Sequence, residues 1–383
     1  MKKEDMSVEP GSLNADEPVR VLQVIGRMSY GGLETLIMNL YKKVDRSKIQ
    51  FDFLSYTNEK GLYEDEITAM GGKIYHLSFR DDKNYFKYKK DLEKFFEEHP
   101  EYKVVHGHLA AVGSMYLGAA KKSGVPCRIS HSHIASYSKT RKGILIHIMN
   151  RNFGKHASHR FACSKVAGKY MYGKKDFTVL NNGIDCHRFA FDQNERNRVR
   201  SELQLDGKIV FVHVGRFFDQ KNHSFLIDIF SQIKKLRENS MLLLIGVGPL
   251  QDEIREKCKA LGIEDSVKFM GSRTDVPSLL SASDVFLFPS LYEGLPLTVV
   301  EAQASGLPIL SSDQVTEEVV MTEECQRISL DLGADVWAQK ALELLNCKID
   351  RESRYRIVID NGYDSDDVAN SLQNFYLDFY KEK

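Results

Sequence analysis

Short apolar runs alternate with amphipathic segments along most of the chain after residue 18. Their composition, continuous in Val, Ile, Leu and Phe, is typical of parallel strands that are buried on both faces. In the first half the runs predict strands at residues 19–25, 49–54, 73–77, 103–106, 127–131, 159–163 and 177–180. In the second half they predict strands at residues 209–214, 241–245, 267–270, 284–288 and 309–311.

Helical patterns lie between the predicted strands, and they are clearest at residues 33–43, 85–98 and 112–122. Alternation of strand and helix predicts right-handed βαβ units and doubly wound parallel sheets. Because the alternation pauses over a polar segment at 181–207 and then restarts, we expect two such domains. The predicted organisation is a disordered leader (1–18), an N-terminal domain (19–184), a C-terminal domain (185–362) and a terminal helix (363–383).

The composition fits a globular protein with two domains of different charge. The chain has 383 residues, with 53 Lys+Arg and 53 Asp+Glu. This balance conceals an excess of ten positive charges in residues 1–180 and of ten negative charges in residues 181–383, which suggests different partners for the two halves. The six cysteines are scattered without metal-ligand spacing, and no secretory signal or membrane-spanning run is visible, so we expect a cytoplasmic protein.

The stretch from Pro289 to Pro308 follows the predicted strand 284–288 and carries the strongest functional pattern. Pro296 suits a first helical turn and Gly306 suits a helix end. The amides of three residues at the predicted helix start, Leu297, Thr298 and Val299, would then face an anion at the positive end of the helix dipole. Two carboxylates, Glu293 and Glu301, flank these amides, and this layout fits a diphosphate with hydroxyl groups at both ends, as in a nucleotide sugar.

The segment Glu293-Gly-Leu-Pro-Leu-Thr-Val-Val-Glu301, with the Gly-x-Pro ending at Gly306, resembles the signature of the retaining glycosyltransferases of family 4. That family has the GT-B fold, in which two Rossmann-like domains face a central cleft. The resemblance implies that Glu293 holds hydroxyl groups of the donor sugar and that Glu301 holds the ribose.

Other motifs of the family occur in the expected order. Gly31-Gly32-Leu-Glu34 follows the first strand and resembles the Gly-Gly-x-Glu loop near the donor phosphates and the acceptor. The spacing fits neither a dinucleotide fingerprint nor a P-loop, so a nicotinamide oxidoreductase is disfavoured. Asn182-Gly183-Ile-Asp185 lies between the predicted domains.

The sequence Gly215-Arg216-Phe-Phe-Asp-Gln-Lys221 resembles the family's Gly-Arg-x(4)-Lys motif, although Asn222 stands where a glycine commonly follows the lysine. Arg216 and Lys221 place two cations where a diphosphate would lie. Since they can stabilise the charge of the leaving nucleotide, we expect catalysis without a divalent metal and without a further cofactor. Two glycine turns, at residues 246–249 and 271–273, are expected by resemblance to line the nucleotide end.

His131 and His133 end the strand predicted at 127–131. By resemblance one of them contacts the donor sugar; alignment favours His133 and leaves His131 open. A His-x-His pair is also found in metal sites, but the sequence shows no third ligand at suitable spacing. Asp364-Ser-Asp366 matches the Asp-x-Asp motif of a different glycosyltransferase fold, but its position predicts a helix N-cap.

The resemblance implies transfer of a hexose-type sugar from a nucleotide-diphosphate sugar to a glycan or lipid-linked acceptor, as in bacterial exopolysaccharide and capsule synthesis. A nucleotide-sugar epimerase and a non-catalytic binding protein of the same fold remain open. A glycosidase that uses Glu293 and Glu301 is disfavoured, because it would gain nothing from paired cations beside a helix N-terminus.

Residues 103–175 contain 14 Lys and Arg between Glu101 and Asp176 and no acidic residue. Within this stretch, residues 142–151 mix apolar and basic side chains at helical spacing. This pattern predicts contact with an anionic membrane surface at the inner face of the cell membrane. The alternative is that its apolar side packs on the first sheet and that the lysines only aid solubility. Nucleic acid is not an expected partner, since the stretch shows no nucleic-acid-binding module.

Overall fold

The computed structural model describes residues 17–29, 31–79, 81, 84–134, 150 and 152–381. Most of the basic segment at 142–151 and most of the leader at 1–18 lie outside the described residues. The chain forms two compact units: residues 1–131, 148–160 and 369–383 make the first, and residues 132–147 and 161–368 make the second.

Two sheets organise the chain. The strands are β1 (Val19–Ile25), β2 (Ile49–Ser55), β3 (Ile74–His76), β4 (Val104–Gly107), β5 (Cys127–Ser132), β6 (His159–Ala162), β7 (Thr178–Val179), β8 (Ile209–Val214), β9 (Ser240–Ile245), β10 (Val267–Gly271), β11 (Val285–Phe288), β12 (Ile309–Ser312) and β13 (Cys325–Ile328). All twelve predicted strands are present, with ends that agree within two residues. Among the strands that the structure describes, β13 alone was not predicted.

The helices described by the structure are α1 (Gly32–Lys43), α2 (Glu64–Ala69), α3 (Tyr85–Glu98), α4 (Gly113–Lys122), α5 (Lys165–Tyr172), α6 (Cys186–Phe189), α7 (Gln193–Glu202), α8 (His223–Leu236), α9 (Gln251–Ala260), α10 (Val276–Ala282), α11 (Leu297–Ala304), α12 (Ala334–Glu343), α13 (Arg354–Asp360) and α14 (Ser365–Lys381). The polar segment at 181–207 is therefore not an irregular linker, because it contains α6 and α7. Both helices start at an aspartate whose carboxylate accepts backbone amides, Asp185 for α6 and Asp192 for α7.

The seven-stranded sheet has the order β3-β2-β1-β4-β5-β6-β7, and the six-stranded sheet has the order β10-β9-β8-β11-β12-β13. β1 runs parallel to both β2 and β4, and β8 runs parallel to both β9 and β11. Strand order therefore reverses between β1 and β4 in one sheet and between β8 and β11 in the other. Such a reversal leaves a crevice at the carboxyl ends of the two strands, where doubly wound proteins bind ligands.

The core of the second unit lies on both faces of its sheet. Val210 and Val212 of β8 pack with Val299 and Val300 of α11 on one face. Phe211, the residue between them, packs on the other face with the buried side of α8. Burial on both faces explains why these strands are continuously apolar in sequence.

Residues 161–184 are grouped with the second unit by their contacts, although β6 and β7 complete the seven-stranded sheet. The predicted boundary after residue 184 stays a prediction. The first amides of α5, on Lys165 and Val166, donate to the carboxylate of Glu318 in the second unit at 2.6 and 2.7 Å. A carboxylate at a helix N-terminus is favoured by the helix dipole.

Helix α14 returns the chain to the first unit. Its start is capped by Asp364, whose Oδ1 accepts the amides of Asp366 and Asp367; the predicted N-cap is confirmed. Farther along the helix, the Tyr380 hydroxyl donates to the Arg20 carbonyl at 2.7 Å. The terminal helix thus packs against β1.

Candidate active site

The cations predicted from the Gly-Arg-x(4)-Lys motif lie just beyond the carboxyl end of β8. Arg216 is exposed, and its guanidinium carbon lies 5.0 Å from the centre of the Phe218 ring. Lys221 ends a short 3-10 turn, and its ammonium lies 4.6 Å from the centre of the Phe288 ring. Each aromatic ring attracts the neighbouring positive charge through a cation–π interaction.

Lys221 and Glu293 form an ion pair at the point where strand order reverses in the second sheet. Lys221 Nζ lies 2.6 Å from Glu293 Oε1, and the two side chains are only 17% and 9% exposed. Glu293 follows β11 and Lys221 follows β8, so the adjacent ends of parallel strands bring together two residues that are 72 positions apart. Breaking a pair this shielded leaves an uncompensated charge.

A cavity of about 190 Å³ opens beside this pair. Its walls are formed by Arg216, Phe218, Asp219, Gln220, Lys221 and Tyr292. Two cations and two aromatic rings in one small cavity can bind an anion and a flat ring. Phe218 and Tyr292 were not identified from the sequence, because an exposed aromatic residue in a loop has no signature by itself.

Gly215 and Asn222 explain how the lysine reaches this position. A Cβ atom on Gly215 would lie 3.1 Å from Lys221 Cδ and 2.9 Å from His213 Nε2, so the glycine leaves room for the lysine stem. Asn222 has φ 54° and ψ 44°, in the left-handed region. Asparagine adopts this conformation more readily than most residues, and its side-chain amide also donates to the Pro289 carbonyl at 3.1 Å. The departure from the family glycine therefore preserves the turn.

Helix α11 begins at Leu297, with Pro296 as its N-cap, and no side chain caps the helix start. The amides of Leu297 and Thr298 lie in the first turn, where a helix offers no internal acceptor. The prediction for Val299 is wrong, because its amide donates to the Pro296 carbonyl at 3.0 Å and is already satisfied. The Thr298 hydroxyl oxygen is buried without a hydrogen-bond partner among the described residues.

The two signature carboxylates differ in their surroundings. Glu293 is paired with Lys221, whereas Glu301, on α11, is partly shielded from solvent and forms no ion pair within 4 Å among the described residues. Burial raises the pKa of the Glu301 carboxyl to about 7, and the positive charge of Arg188 lowers it only in part. The hydroxyl groups of a ligand could replace the lost hydration of this carboxylate.

The glycine turn at 246–249 has a structural reason of its own. A Cβ atom on Gly246 would lie 2.1 Å from the Gly215 carbonyl oxygen, and one on Gly248 would lie 2.5 Å from the Phe217 carbonyl oxygen. These glycines let two loops pass in contact at the carboxyl edge of the second sheet. They hold the loop that carries Arg216.

In the first unit, the Gly-Gly loop follows β1, at the position where strand order reverses. A Cβ atom on Gly31 would lie 2.2 Å from Glu34 Oε2, whereas one on Gly32 would meet no atom within 4 Å. Gly31 therefore allows Glu34 to fold back against the loop, and burial raises the pKa of Glu34. Gly32 leaves its backbone open to approach.

The two candidate histidines occupy different environments. His131, in β5, is 3% exposed, and its Nδ1 forms a hydrogen bond with Nε2 of His106 at 3.1 Å. His133 follows the strand and is half-buried, and burial lowers the pKa of its imidazole to about 4. Sequence reasoning missed His106 and His108, which follow one another at the end of β4 as a second His-x-His pair; this spacing was the available signal.

Comparison with known proteins identifies the family. The family model for glycosyl transferases group 1 matches residues 195–363, and that for Glycosyltransferase Family 4 matches residues 30–188. The glycosyltransferase EpsF of Bacillus subtilis (strain 168) is 33% identical over 370 residues, which cover 93% of this chain and 96% of EpsF. The chain belongs to the glycosyltransferases of family 4.

Two further comparisons agree with this assignment. CapH of Staphylococcus aureus, named as a capsular polysaccharide biosynthesis glycosyltransferase, is 25% identical to this glycosyltransferase over 94% of the chain and 99% of CapH. The crystal structure of HepE from Anabaena in complex with UDP and glucose has a TM-score of 0.73 at 17% identity, and it covers 94% of this chain and 100% of HepE. The predicted fold class, two Rossmann-like domains of the GT-B type, is confirmed.

Proposed function

We propose that this glycosyltransferase moves a hexose-type sugar, with retention of anomeric configuration, from a nucleotide-diphosphate sugar to a glycan or lipid-linked acceptor in surface polysaccharide synthesis. The observation that carries the proposal is the cavity at the carboxyl end of β8, which Arg216 and Lys221 both line. The name of one relative supports the proposed reaction. The Escherichia coli relative, 27% identical over 300 residues that cover 74% of this chain and 77% of that protein, is named a galactosyltransferase that uses UDP-Gal and a diphosphoundecaprenol-linked acceptor.

The mechanism follows from charge. When the anomeric C–O bond breaks, negative charge develops on the departing nucleotide diphosphate. Arg216, Lys221 and the amides of Leu297 and Thr298 would bind that charge, and each well-placed donor contributes about 3 kcal/mol to stabilising a transition state. These groups supply the positive charge that a metal ion would otherwise provide, so we expect turnover to persist in the presence of a chelator.

The carboxylates have separate roles in this proposal. Glu293 is held by Lys221 and would accept hydrogen bonds from hydroxyl groups of the donor sugar. Glu301 would accept them from the ribose, which would favour the ionised form of the carboxyl whose pKa burial raises to about 7. A histidine at the end of β5, His133 or His131, would contact the sugar.

The first experiment is a screen of UDP-, GDP- and ADP-sugars for thermal stabilisation of the full chain. A ligand present at 100 times its dissociation constant stabilises the folded protein by about 2.7 kcal/mol, which gives a clear shift in Tm. We expect one nucleotide to dominate the panel. Absence of a shift with every nucleotide would contradict the proposal.

The second experiment separates transfer from the alternatives. Release of nucleoside diphosphate that depends on an added acceptor indicates transfer, whereas interconversion of the sugar without acceptor indicates an epimerase. Stabilisation by a nucleotide sugar without either reaction indicates a binding protein. The acceptors to be tried are glycans and polyprenyl diphosphate sugars.

We also propose that the basic stretch at 103–175 rests on an anionic membrane surface. Its exposed described lysines include Lys121, Lys122 and Lys155, and each cation near such a surface contributes roughly 1 kcal/mol. No helix among the described residues has the length and apolar character to cross a bilayer. Flotation with liposomes tests this part, and equal recovery from neutral and anionic vesicles would remove it.

A further inference from the structure

Three imidazoles meet inside the first unit, at the carboxyl ends of β4 and β5. His106, His108 and His131 are 1%, 8% and 3% exposed. Each offers a ring nitrogen within 4.8 Å of the nitrogens of the other two. Gln23 of β1 and Tyr376 of α14 contact the same cluster. A group of this kind can bind a metal ion or form a hydrogen-bonded chain.

The orientation of the rings favours a hydrogen-bonded chain over a metal site. The rings of His106 and His108 stack with centroids 4.4 Å apart and planes 23° apart. A metal ion accepts the nitrogen lone pair in the plane of each imidazole, at about 2 Å. One ion cannot lie in two stacked planes, so coordination by both rings would require one of them to turn. In addition, His106 Nε2 already forms a hydrogen bond with His131 Nδ1, at 3.1 Å.

The direction of the hydrogen bonds can be followed from one end. The Gln23 carbonyl oxygen can only accept, so His108 Nε2 donates to it, at 3.0 Å. The Gln23 amide nitrogen can only donate, and it donates to the Tyr376 hydroxyl oxygen at 3.4 Å. Tyr376 therefore keeps its own proton for another acceptor.

That acceptor is His106 Nδ1, which lies 2.5 Å from the Tyr376 hydroxyl. A neutral imidazole has one protonated nitrogen and one acceptor, so the proton of His106 is on Nε2 and is donated to His131 Nδ1. By the same rule, His131 carries its proton on Nε2. Burial raises the pKa of the Tyr376 hydroxyl, which keeps the first proton of the chain in place.

We propose that Tyr376 and His106 are positioning residues that hold His131 as the neutral tautomer protonated on Nε2, so that His131 acts as a hydrogen-bond donor in sugar transfer. This inference rests on the proposed function, in which a histidine at the end of β5 contacts the donor. A donor N–H recognises a hydroxyl or phosphate oxygen. It cannot remove a proton from the acceptor hydroxyl, so His131 is not the base of the reaction.

The experiment combines tautomer and rate measurements on the full chain. With ¹⁵N-labelled histidine, NMR distinguishes protonated from unprotonated ring nitrogens, and the signals of His131 are identified by their loss in His131→Asn. We expect Nε2 of His131 to be protonated and Nδ1 to be unprotonated in the wild type. In Tyr376→Phe this preference should weaken, and kcat should fall about tenfold, the upper size of one neutral hydrogen bond, with KM for the donor changed less.

Tyr380→Phe is the matched control. It removes a partly buried hydroxyl from the same helix, but that hydroxyl contacts the backbone of Arg20 and Lys103 and, among the described residues, no imidazole. We expect Tyr380→Phe to lower Tm while leaving both the tautomer of His131 and kcat close to wild type. A purely structural role for Tyr376 would make the two variants alike.

Two results would overturn the inference. One is a wild-type His131 with its proton on Nδ1, since the chain would then run in the opposite direction. The other is an equal kcat in Tyr376→Phe and Tyr380→Phe. If the wild type transfers sugar from no nucleotide donor, the proposed function fails, and the role given to His131 fails with it, while the NMR measurement still decides the tautomer.

Discussion

The two sheets carry different polar groups at equivalent positions, namely the points where strand order reverses. Where strand order reverses in the second sheet, the polar groups are charged, with Lys221 paired to Glu293 and Arg216 beside them. Where it reverses in the first sheet, the cluster is made of imidazoles, an amide and a phenol. A charged pair is suited to an ionic ligand, whereas a directed chain of hydrogen bonds is suited to hydroxyl oxygens. Ligand binding at the second sheet should therefore depend more strongly on salt than binding at the first.

Removing the charge at the second sheet should have the largest effect. For Lys221→Ala we expect turnover to fall by at least a hundredfold, the effect of removing one transition-state donor worth about 3 kcal/mol. Steady-state release of nucleoside diphosphate measures it. The control is Lys257→Ala, which removes a lysine of α9 that is paired with Asp228 of α8 at 2.7 Å and does not line the candidate cavity. Near-normal turnover in Lys221→Ala would contradict the assignment.

Acid should weaken the second unit through two histidines beneath the charged pair. His213 and His223 are buried, and ring nitrogens of both have no hydrogen-bond partner among the described residues. Burial, with the charge of Lys221, lowers the pKa of His223 to about 4 and that of His213 well below its usual value. Below about pH 6.5 the unfolded chain therefore binds more protons than the folded protein. The stability of the folded protein falls as pH decreases towards 4.

The slope attributable to His223 is about 1.4 kcal/mol per pH unit, or roughly 3 kcal/mol over this range. Denaturant unfolding at pH 5 and pH 8 measures it, and His223→Phe should have a smaller difference between the two values. Phe225→Leu, on the same helix, changes packing without removing a titratable group. Its profile should run parallel to that of the wild type, and a parallel profile for His223→Phe would refute the explanation.

Glu301 should show the opposite pH dependence. Because burial raises the pKa of its carboxyl to about 7, ionisation destabilises the folded protein as pH rises from about 4.5 to 7. We expect Glu301→Gln to be more stable than the wild type by about 1–3 kcal/mol at pH 8 and by little at pH 5. The same variant should bind nucleotide sugars less tightly. Equal stability at both pH values would show that the carboxyl is well hydrated.

The smallest effect concerns the turn that carries Lys221. Asn222→Ala should lower stability by about 1–2 kcal/mol, since alanine is strained in the left-handed conformation and the hydrogen bond to Pro289 is lost. Asn222→Gly should be closer to neutral, because glycine adopts this conformation freely. If the two variants are equally destabilised, the side-chain hydrogen bond matters more than the backbone conformation.

The sequence predicted the fold in detail because its strands are buried on both faces and therefore stand out as apolar runs. β1 and β8 have the same bounds in sequence and structure. β13, with Gln and Arg within four residues and a partly exposed end, lacks that signal. Helices α6 and α7 were missed because their residues are mostly polar, although the capping aspartates Asp185 and Asp192 marked their starts.

The site was predicted less completely, since it depends on contacts between distant residues. The sequence suggested that Lys221 and Glu293 share one ligand but not that they pair with each other. The amide of Val299 was predicted to be available and is not, because its bond to Pro296 depends on the pitch of the first turn. The histidine chain joins β4, β5 and α14, and no local pattern indicates that Tyr376 completes it.

The return of α14 also affects how the protein is made. The first unit consists of residues 1–131, 148–160 and 369–383, so its interior lacks Tyr376 until the segments of the second unit have also been synthesised. Domains of nascent chains generally fold in order from the N-terminus. In this protein the first unit begins to be synthesised before the second, but it cannot finish folding before the second. Translation that stalls in the last helix would leave a finished second unit attached to an unfinished partner, which is a natural substrate for chaperones and proteases.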